Sequence, residues 1–346
     1  VLRRYVERQP GIELINQHSV TGLLCKEENG QLVATGLQLG DETVEADIVV
    51  DASGRTTNFP RWFKEMGREI REEKDAAEIV YYTRHYQLNP GAEEPSADGP
   101  ERPAGDLGYL KYGLFKCEDG HFSIIVCVPV AETALRKAVN DPEQFHRICL
   151  SIPGLAPWVN SDISTPTTDS FGFADIHAVW RHYVQDDTKG EAEGNNKEGH
   201  SETQAKPIAL NFFSVGDSSI RTNPLYGRGC STGMLHAHIL ADVIASEADP
   251  VERALEFNRR SFEEIRPIFN ASLDEDRKAI VQAEAIREGN TVEKSGGLKQ
   301  WFAGAFGDAM AAALTNELHV IRGFLHTFHL LEKQGEFLQD KHIRRT

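Results

Sequence analysis

The arrangement in this chain best suited to chemistry is an aspartate at the end of a short hydrophobic run, followed by a loop of proline and glycine and then a helical pattern. The run Asn211 to Val215 stops at Gly216-Asp217, as a buried strand of a mixed α/β sheet would. Ligands of open α/β sheets sit at the carboxyl ends of strands, and a short carboxylate there can accept hydrogen bonds from a sugar or polyol hydroxyl. The loop Asn223-Pro224-Leu225-Tyr226-Gly227-Arg228-Gly229-Cys230 follows. Pro224 stiffens it, and Gly227 and Gly229 permit positive φ and let a flat ligand approach the backbone. From Ser231 apolar positions recur three and four apart through Met234, Leu235, Ile239, Leu240, Val243 and Ile244. That pattern predicts a helix whose free first-turn N–H groups point back at the loop.

A second stretch, Glu45-Ala-Asp47-Ile-Val-Val-Asp51-Ala-Ser-Gly54-Arg55, again reads as a strand, an acid and a glycine turn. Val215-Gly-Asp217 with Asn223-Pro-x-x-Gly-x-Gly229 resembles the second flavin fingerprint of the para-hydroxybenzoate-hydroxylase-like FAD oxidoreductases. That family includes aromatic monooxygenases, flavin halogenases and geranylgeranyl-reductase-like enzymes. The Glu45 to Arg55 stretch resembles the segment that closes the three-stranded insertion of the same FAD-binding domain. Order and separation of the two also match, so the resemblance covers most of residues 1 to 250.

The resemblance implies that Asp217 holds a ribityl hydroxyl of FAD and that Pro224, Gly227, Arg228, Gly229 and Cys230 run beside the isoalloxazine ring. Backbone N–H groups near Gly229 and Cys230 would stabilise the negative charge of reduced flavin. Gly54 and Arg55 would lie near the cofactor. Arg228 and Cys230 stand where many relatives carry other side chains, so the implied role there belongs to the backbone. The implied activity is an FAD-dependent monooxygenase that takes electrons from NAD(P)H and hydroxylates an aromatic or apolar organic substrate through a flavin hydroperoxide. A reductase or dehydrogenase of a carbon-carbon double bond is the second reading, and a scaffold that no longer binds FAD is the third. The Trp-x-Trp-x-Ile-Pro pattern of flavin halogenases is absent among Trp62, Trp158, Trp180 and Trp301. The family's opening Gly-x-Gly-x-x-Gly unit is not found either, since Gly227-x-Gly229-x-x-x-Gly233 has a different last spacing. An N-terminally incomplete flavoprotein is therefore expected.

The fold class expected is α/β, mixed with α+β: the remainder of a Rossmann-like FAD-binding domain, an inserted β-sheet substrate domain and a C-terminal helical section. The divisions are 1–75 and 207–250 for flavin binding, 76–206 for substrate and 251–346 for the helices. Val1 to Gln9 reads as a helix entering a strand at Ile12 to Ile15. Ser19 to Cys25, Gln31 to Leu39 and Thr43 to Asp51 read as strands, with Asn29-Gly30 a hairpin turn. Residues 78–88, 108–116, 121–129 and 171–183 are β-like. Glu132 to Val139 and Pro142 to Leu150 read as helices, the second capped by Asp141. The polar stretches 185–206 and 89–103 are expected to be surface loops. Val251 to Ala285 predicts one or two helices, broken or bent near Pro267.

With 346 residues, 40% of them hydrophobic, the chain can bury a substantial core. Its formal charge of −16 disfavours nucleic acid as a partner. Five cysteines without metal-like or redox-like spacing suggest a reducing, cytoplasmic setting. No integral membrane segment is read from the sequence. In 299–338 an apolar stripe, Trp301, Phe302, Phe306, Met310, Leu314, Leu318, Ile321, Phe324 and Leu325, could pack on the flavin domain or form a homodimer.

Catalytic residues are not assigned from the sequence. In Val80-Tyr-Tyr-Thr-Arg84-His-Tyr86 a period of two sets Tyr82, Arg84 and Tyr86 on one face, a candidate substrate wall, and Tyr81, Thr83 and His85 on the other. His319, His326 and His329 share a helical face without the carboxylates of a metal site, so no metal is expected. No Gly-x-Ser-x-Gly elbow is present, which disfavours a hydrolase.

Overall fold

The computed structural model describes residues 2–96, 101–185, 205–290, 305–307, 309–310, 312–314, 316–333, 336–341 and 343. Most of the polar stretch 185–206, part of 89–103, and Trp301 and Phe302 of the apolar stripe lie outside the described residues.

The chain opens with α1 (Leu2–Val6). The strand expected at Ile12 to Ile15 is absent: these residues are coil, and Ile12, Leu14 and Ile15 are exposed. An apolar run becomes a strand only where a neighbour takes its hydrogen bonds. β1 (Val20–Glu28) and β2 (Gln31–Leu39) form an antiparallel hairpin through Asn29-Gly30, both at positive φ. β3 (Glu42–Glu45) extends that sheet on β2. β4 (Val49–Asp51) belongs elsewhere, so the single strand expected over Thr43 to Asp51 is divided between two sheets. α2 (Phe59–Glu65) follows, with Pro60 in its first turn.

β5 (Arg71–Ala76) leads to β6 (Ile79–Leu88), β7 (Ala104–Asp106), β8 (Lys111–Lys116) and β9 (His121–Pro129). Three helices come next: α3 (Thr133–Asn140), α4 (Pro142–Ser151) and α5 (Ala156–Val159). α4 begins as its sequence dictates. The Asp141 carboxylate accepts from the N–H groups of Glu143 (3.0 Å) and Gln144 (2.9 Å), and Pro142 stands at the first helical position. Short strands β10 (Ser164–Pro166), β11 (Phe171–Phe173), β12 (His177–His182), β13 (Val184–Gln185), β14 (Lys206–Pro207), β15 (Phe212–Ser214) and β16 (Ile220–Arg221) precede the helices α6 (Gly229–Ser246), α7 (Pro250–Arg287) and α8 (Leu318–Phe328). α7 continues through Pro267 without a break in the helix.

The chain divides into two compact units, the first made of 1–73, 179–221 and 227–267, the second of 74–178, 222–226 and 268–346. In the first, α2 packs Phe59, Trp62 and Phe63 against Leu23, Leu32 and Ala34 of the hairpin and Phe212 of β15. Edge-to-face packing of Phe63 on Phe212, with centroids 4.9 Å apart, adds directional contact to this burial. A half-exposed charge knot also belongs here: Arg266 grips Glu73 through both guanidinium nitrogens (2.9 and 2.6 Å) while lying over the Trp180 ring. In the second, β10-β6-β9-β8-β7 form an antiparallel sheet, with β11 also paired to β6. α3, α4 and α5 cover one face of it with Val139, Phe145, Cys149, Leu155 and Trp158.

Candidate functional site

β4 and β15 pair in parallel, Phe212 with Val49, Phe213 with Val50 and Ser214 with Asp51. Both sequence motifs therefore end side by side in the first unit, at the carboxyl edge of one short parallel pair. Asp51 is 1% exposed. Its Oδ1 accepts from the Ser53 N–H (2.9 Å) and the Ser53 hydroxyl (2.5 Å), and its Oδ2 from the Thr57 hydroxyl (2.7 Å). Its carbonyl accepts from the Ser218 hydroxyl at 2.7 Å, which ties the first turn to the second. A buried carboxylate needs such donors.

Asp217 sits in a 3-10 turn, Gly216–Ser218, immediately after β15. Its side chain accepts no hydrogen bond from the described residues, and it is exposed. Partial desolvation pushes its carboxyl above the ordinary carboxylate range, while the positive charges of Arg221 and Arg55 oppose that shift. Arg221 donates to the carbonyl of Arg55 at 3.3 Å. Arg181 is held by Glu72 (2.7 Å) and by the Ser218 carbonyl (2.7 Å). A positively charged fringe thus borders Asp217.

The Gly216 turn has a second anchor that the sequence did not reveal. His236, 1% exposed on α6, accepts the Gly216 N–H at Nδ1 (3.3 Å), and its Nε2 faces the Ser261 hydroxyl (3.0 Å), which in turn donates to the Phe257 carbonyl (2.7 Å). Direction of donation along this chain fixes a neutral ring with the proton on Nε2. Burial agrees, lowering its pKa to about 4. The ring also stacks on Phe257, with centroids 4.9 Å apart.

α6 begins at Gly229, with Arg228 at the N-cap and no side-chain cap. Its first N–H groups are therefore the unsatisfied donors of a helix N-terminus. A Cβ added to Gly229 would lie 3.8 Å from Asp217 Oδ1, so the helix start and the carboxylate are neighbours. Gly229 is helical, and Gly227, at φ 64, makes the bend. Thr232 Oγ1, buried in the first turn of α6, has no hydrogen-bond partner in the described structure. Exposed acceptor, uncapped donors and an orphan hydroxyl fit a ligand with hydroxyl groups beside an electron-rich, partly negative edge. The polyol and pyrimidine portions of FAD have that character.

Gly54, at φ 78, and Arg55 lie in the turn after β4. Cys230 is exposed in the first turn of α6. Pro224 belongs to the 3-10 turn Pro224–Tyr226, which is part of the second unit. The Tyr82, Arg84 and Tyr86 face is not an open substrate wall. Tyr82 and Tyr86 are buried in the core under α3 to α5, Tyr86 stacks on Phe122, and Arg84 donates to the carbonyls of Thr168 (3.0 Å) and Pro142 (2.7 Å). The opposite face carries the polar cluster: the Tyr81 hydroxyl donates to Asn223 Oδ1, and Asn223 in turn meets Asp276 of α7. Period two identified the faces but not which one the later helices cover.

No protein-family model matches the sequence, and no curated protein sequence matches it. Solved structures do resemble it. PqsL from Pseudomonas aeruginosa, described as a probable FAD-dependent monooxygenase, superposes with a TM-score of 0.54 at 16% identity, over 82% of this chain and 69% of that one. The flavin-dependent brominase Bmp2 (0.49, 18%, over 83% and 66%) and Klebsiella pneumoniae HpxO complexed with FAD and uric acid (0.48, 12%, over 76% and 58%) score lower. The chain spans 58 to 69% of the length of these three structures. The overlay on PqsL carries the fold: this chain has the mixed α/β architecture of that structure.

Proposed function

We propose that the chain acts in an FAD-dependent oxidoreductase, a monooxygenase that hydroxylates an aromatic or apolar organic molecule. The observation that carries this reading is the pairing of Asp217, a carboxylate that accepts no hydrogen bond from the described residues, with the uncapped start of α6 beside it. In the proposed division, 1–75 and 207–250 bind flavin, 76–206 holds substrate and 251–346 is the helical section. A reducing cytoplasmic setting and NAD(P)H as electron donor belong to the same proposal.

The chain's own residues would act as follows. Asp217 accepts hydrogen bonds from ribityl hydroxyls, and its charge keeps it an acceptor. N–H groups at Gly229, Cys230 and Ser231, at the positive end of α6, hold negative charge at the pyrimidine edge. Gly227 provides the bend that brings the backbone of Arg228 and Gly229 to the ligand. Gly54 and Arg55 border the site, Arg55 adding positive charge near Asp217. FAD bound there supplies two-electron chemistry and, once reduced, reactivity toward oxygen.

Oxygen uptake coupled to NADPH or NADH oxidation, with an oxygen atom appearing in the product, tests the activity. Anaerobic reduction of an alkene by the same protein would replace the monooxygenase reading with the reductase one.

A further inference from the structure

The polar cluster of the second unit contains a carboxylate that neither fold nor site has yet explained. Asp276 of α7 is 5% exposed. Its Oδ1 accepts from Asn223 Nδ2 at 2.6 Å and from the Tyr226 hydroxyl at 2.7 Å. Asn223, 2% exposed, uses its own Oδ1 to accept the Leu225 N–H (3.1 Å) and the Tyr81 hydroxyl of β6. The turn Pro224–Tyr226 is thus clamped at both ends, by Asn223 before it and Tyr226 at its last position, and both clamps close on one oxygen of one acid.

Burying that acid is costly. Desolvation raises the pKa of Asp276 and those of Tyr81 and Tyr226 around it, the signature of polar groups removed from water. An apolar residue of similar size would avoid this penalty, so a buried acid needs a role that only a strong acceptor fills. The groups it orders are consecutive with Gly227, the residue that makes the bend into α6. Tyr226 in particular is covalently joined to that glycine. Its hydroxyl fixes the ring, and the ring fixes the backbone from which the bend departs.

We propose that Asp276 is a positioning residue for the flavin loop. Through Asn223 and Tyr226 it holds the Pro224–Tyr226 turn in the conformation that presents Gly227 to Cys230 to the cofactor; this rests on the FAD reading above. The role is that of an acceptor atom, so it tolerates a neutral amide but not loss of the oxygen.

Two readouts separate the clamp from the cofactor. Hydrogen exchange of the amides from Leu225 to Cys230, measured on the purified chain without FAD, reports the clamp; titration with FAD, followed by flavin fluorescence, reports its consequence. Asp276→Ala is expected to speed exchange in that segment and to weaken FAD binding, each by about tenfold, the size of one or two buried hydrogen bonds. Asp276→Asn, which keeps an acceptor oxygen, is expected to restore both to within about threefold of the parent. Unchanged exchange in Asp276→Ala would overturn the proposal, as would Asp276→Asn behaving like Asp276→Ala. Should Asp276→Ala fail to fold, Tyr226→Phe removes only one hydroxyl, and parental exchange in that variant would overturn it equally. If the parent chain binds no FAD, the flavin reading falls while the exchange comparison still decides whether Asp276 holds the turn.

Discussion

Asp51 and Asp217 are the same residue type at the carboxyl ends of two neighbouring parallel strands, and they are used in opposite ways. Asp51 is buried, and donors from Ser53 and Thr57 occupy both its oxygens. Asp217 is exposed and takes no donor from the described residues, although a helix start lies next to it. One carboxylate builds the turn; the other is presented by it. The difference teaches where to look for function in a strand-end acid: in whether its hydrogen-bonding capacity is already consumed by the protein.

The comparison can be broken by substitution. Asp51→Ala removes the buried acceptor of three charge-assisted hydrogen bonds and unties Thr57 from the turn, so a loss of about 4 kcal/mol is expected in urea unfolding. A loss below about 1 kcal/mol would mean that Asp51 does not hold the turn.

His236 gives the next largest effect, through pH. Its folded pKa of about 4 lies below the ordinary histidine value, so the unfolded chain binds the proton first as pH falls. Its contribution is complete above about pH 6.5 and is lost between there and about pH 4, amounting to about 3 kcal/mol. Unfolding free energies for the parent and His236→Gln at pH 7 and pH 4.5 isolate this part from the carboxylates. The gap between the two proteins should narrow on acidification, and a constant gap would remove His236 from the pH response.

Gly216, at φ 63, comes third. A Cβ there would meet Gly233 Cα at 3.7 Å, an ordinary contact, so the cost of Gly216→Ala is conformational. About 1 kcal/mol is expected. Asp217→Asn comes last: with a raised pKa its charged form gains nothing from folding, and stability at pH 7 should stay within about 0.5 kcal/mol of the parent.

What the sequence made legible was local. The Asn29-Gly30 hairpin, the Asp141 cap and both strand-acid-glycine motifs depend on a few consecutive residues, and each appears where expected. What it hid depends on distant partners. Ile12 to Ile15 has strand composition but no neighbour, and Thr43 to Asp51 is divided because Phe212 to Ser214, far along the chain, claims its second half. The faces of β6 were read correctly as a period of two. The sequence did not show which face would be covered: α3 to α5 bury Tyr82 and Tyr86, while the Tyr81 hydroxyl joins the polar cluster. Asp276 is more than fifty positions from Asn223 in sequence, and nothing in its own surroundings marks it. The bond of the His236 ring to the Gly216 N–H emerges only from the folded turn.

Whether Asp217 is an acceptor for a flavin polyol is tested directly by a titration of the purified chain with FAD, paired with Asp217→Ala. The parent should turn yellow on binding and gain thermal stability, while Asp217→Ala should fold equally well and bind at least about tenfold more weakly, as loss of a charge-assisted hydrogen bond requires. A parent chain that gains no stability with FAD, or an Asp217→Ala variant that binds it as tightly as the parent, would contradict the account.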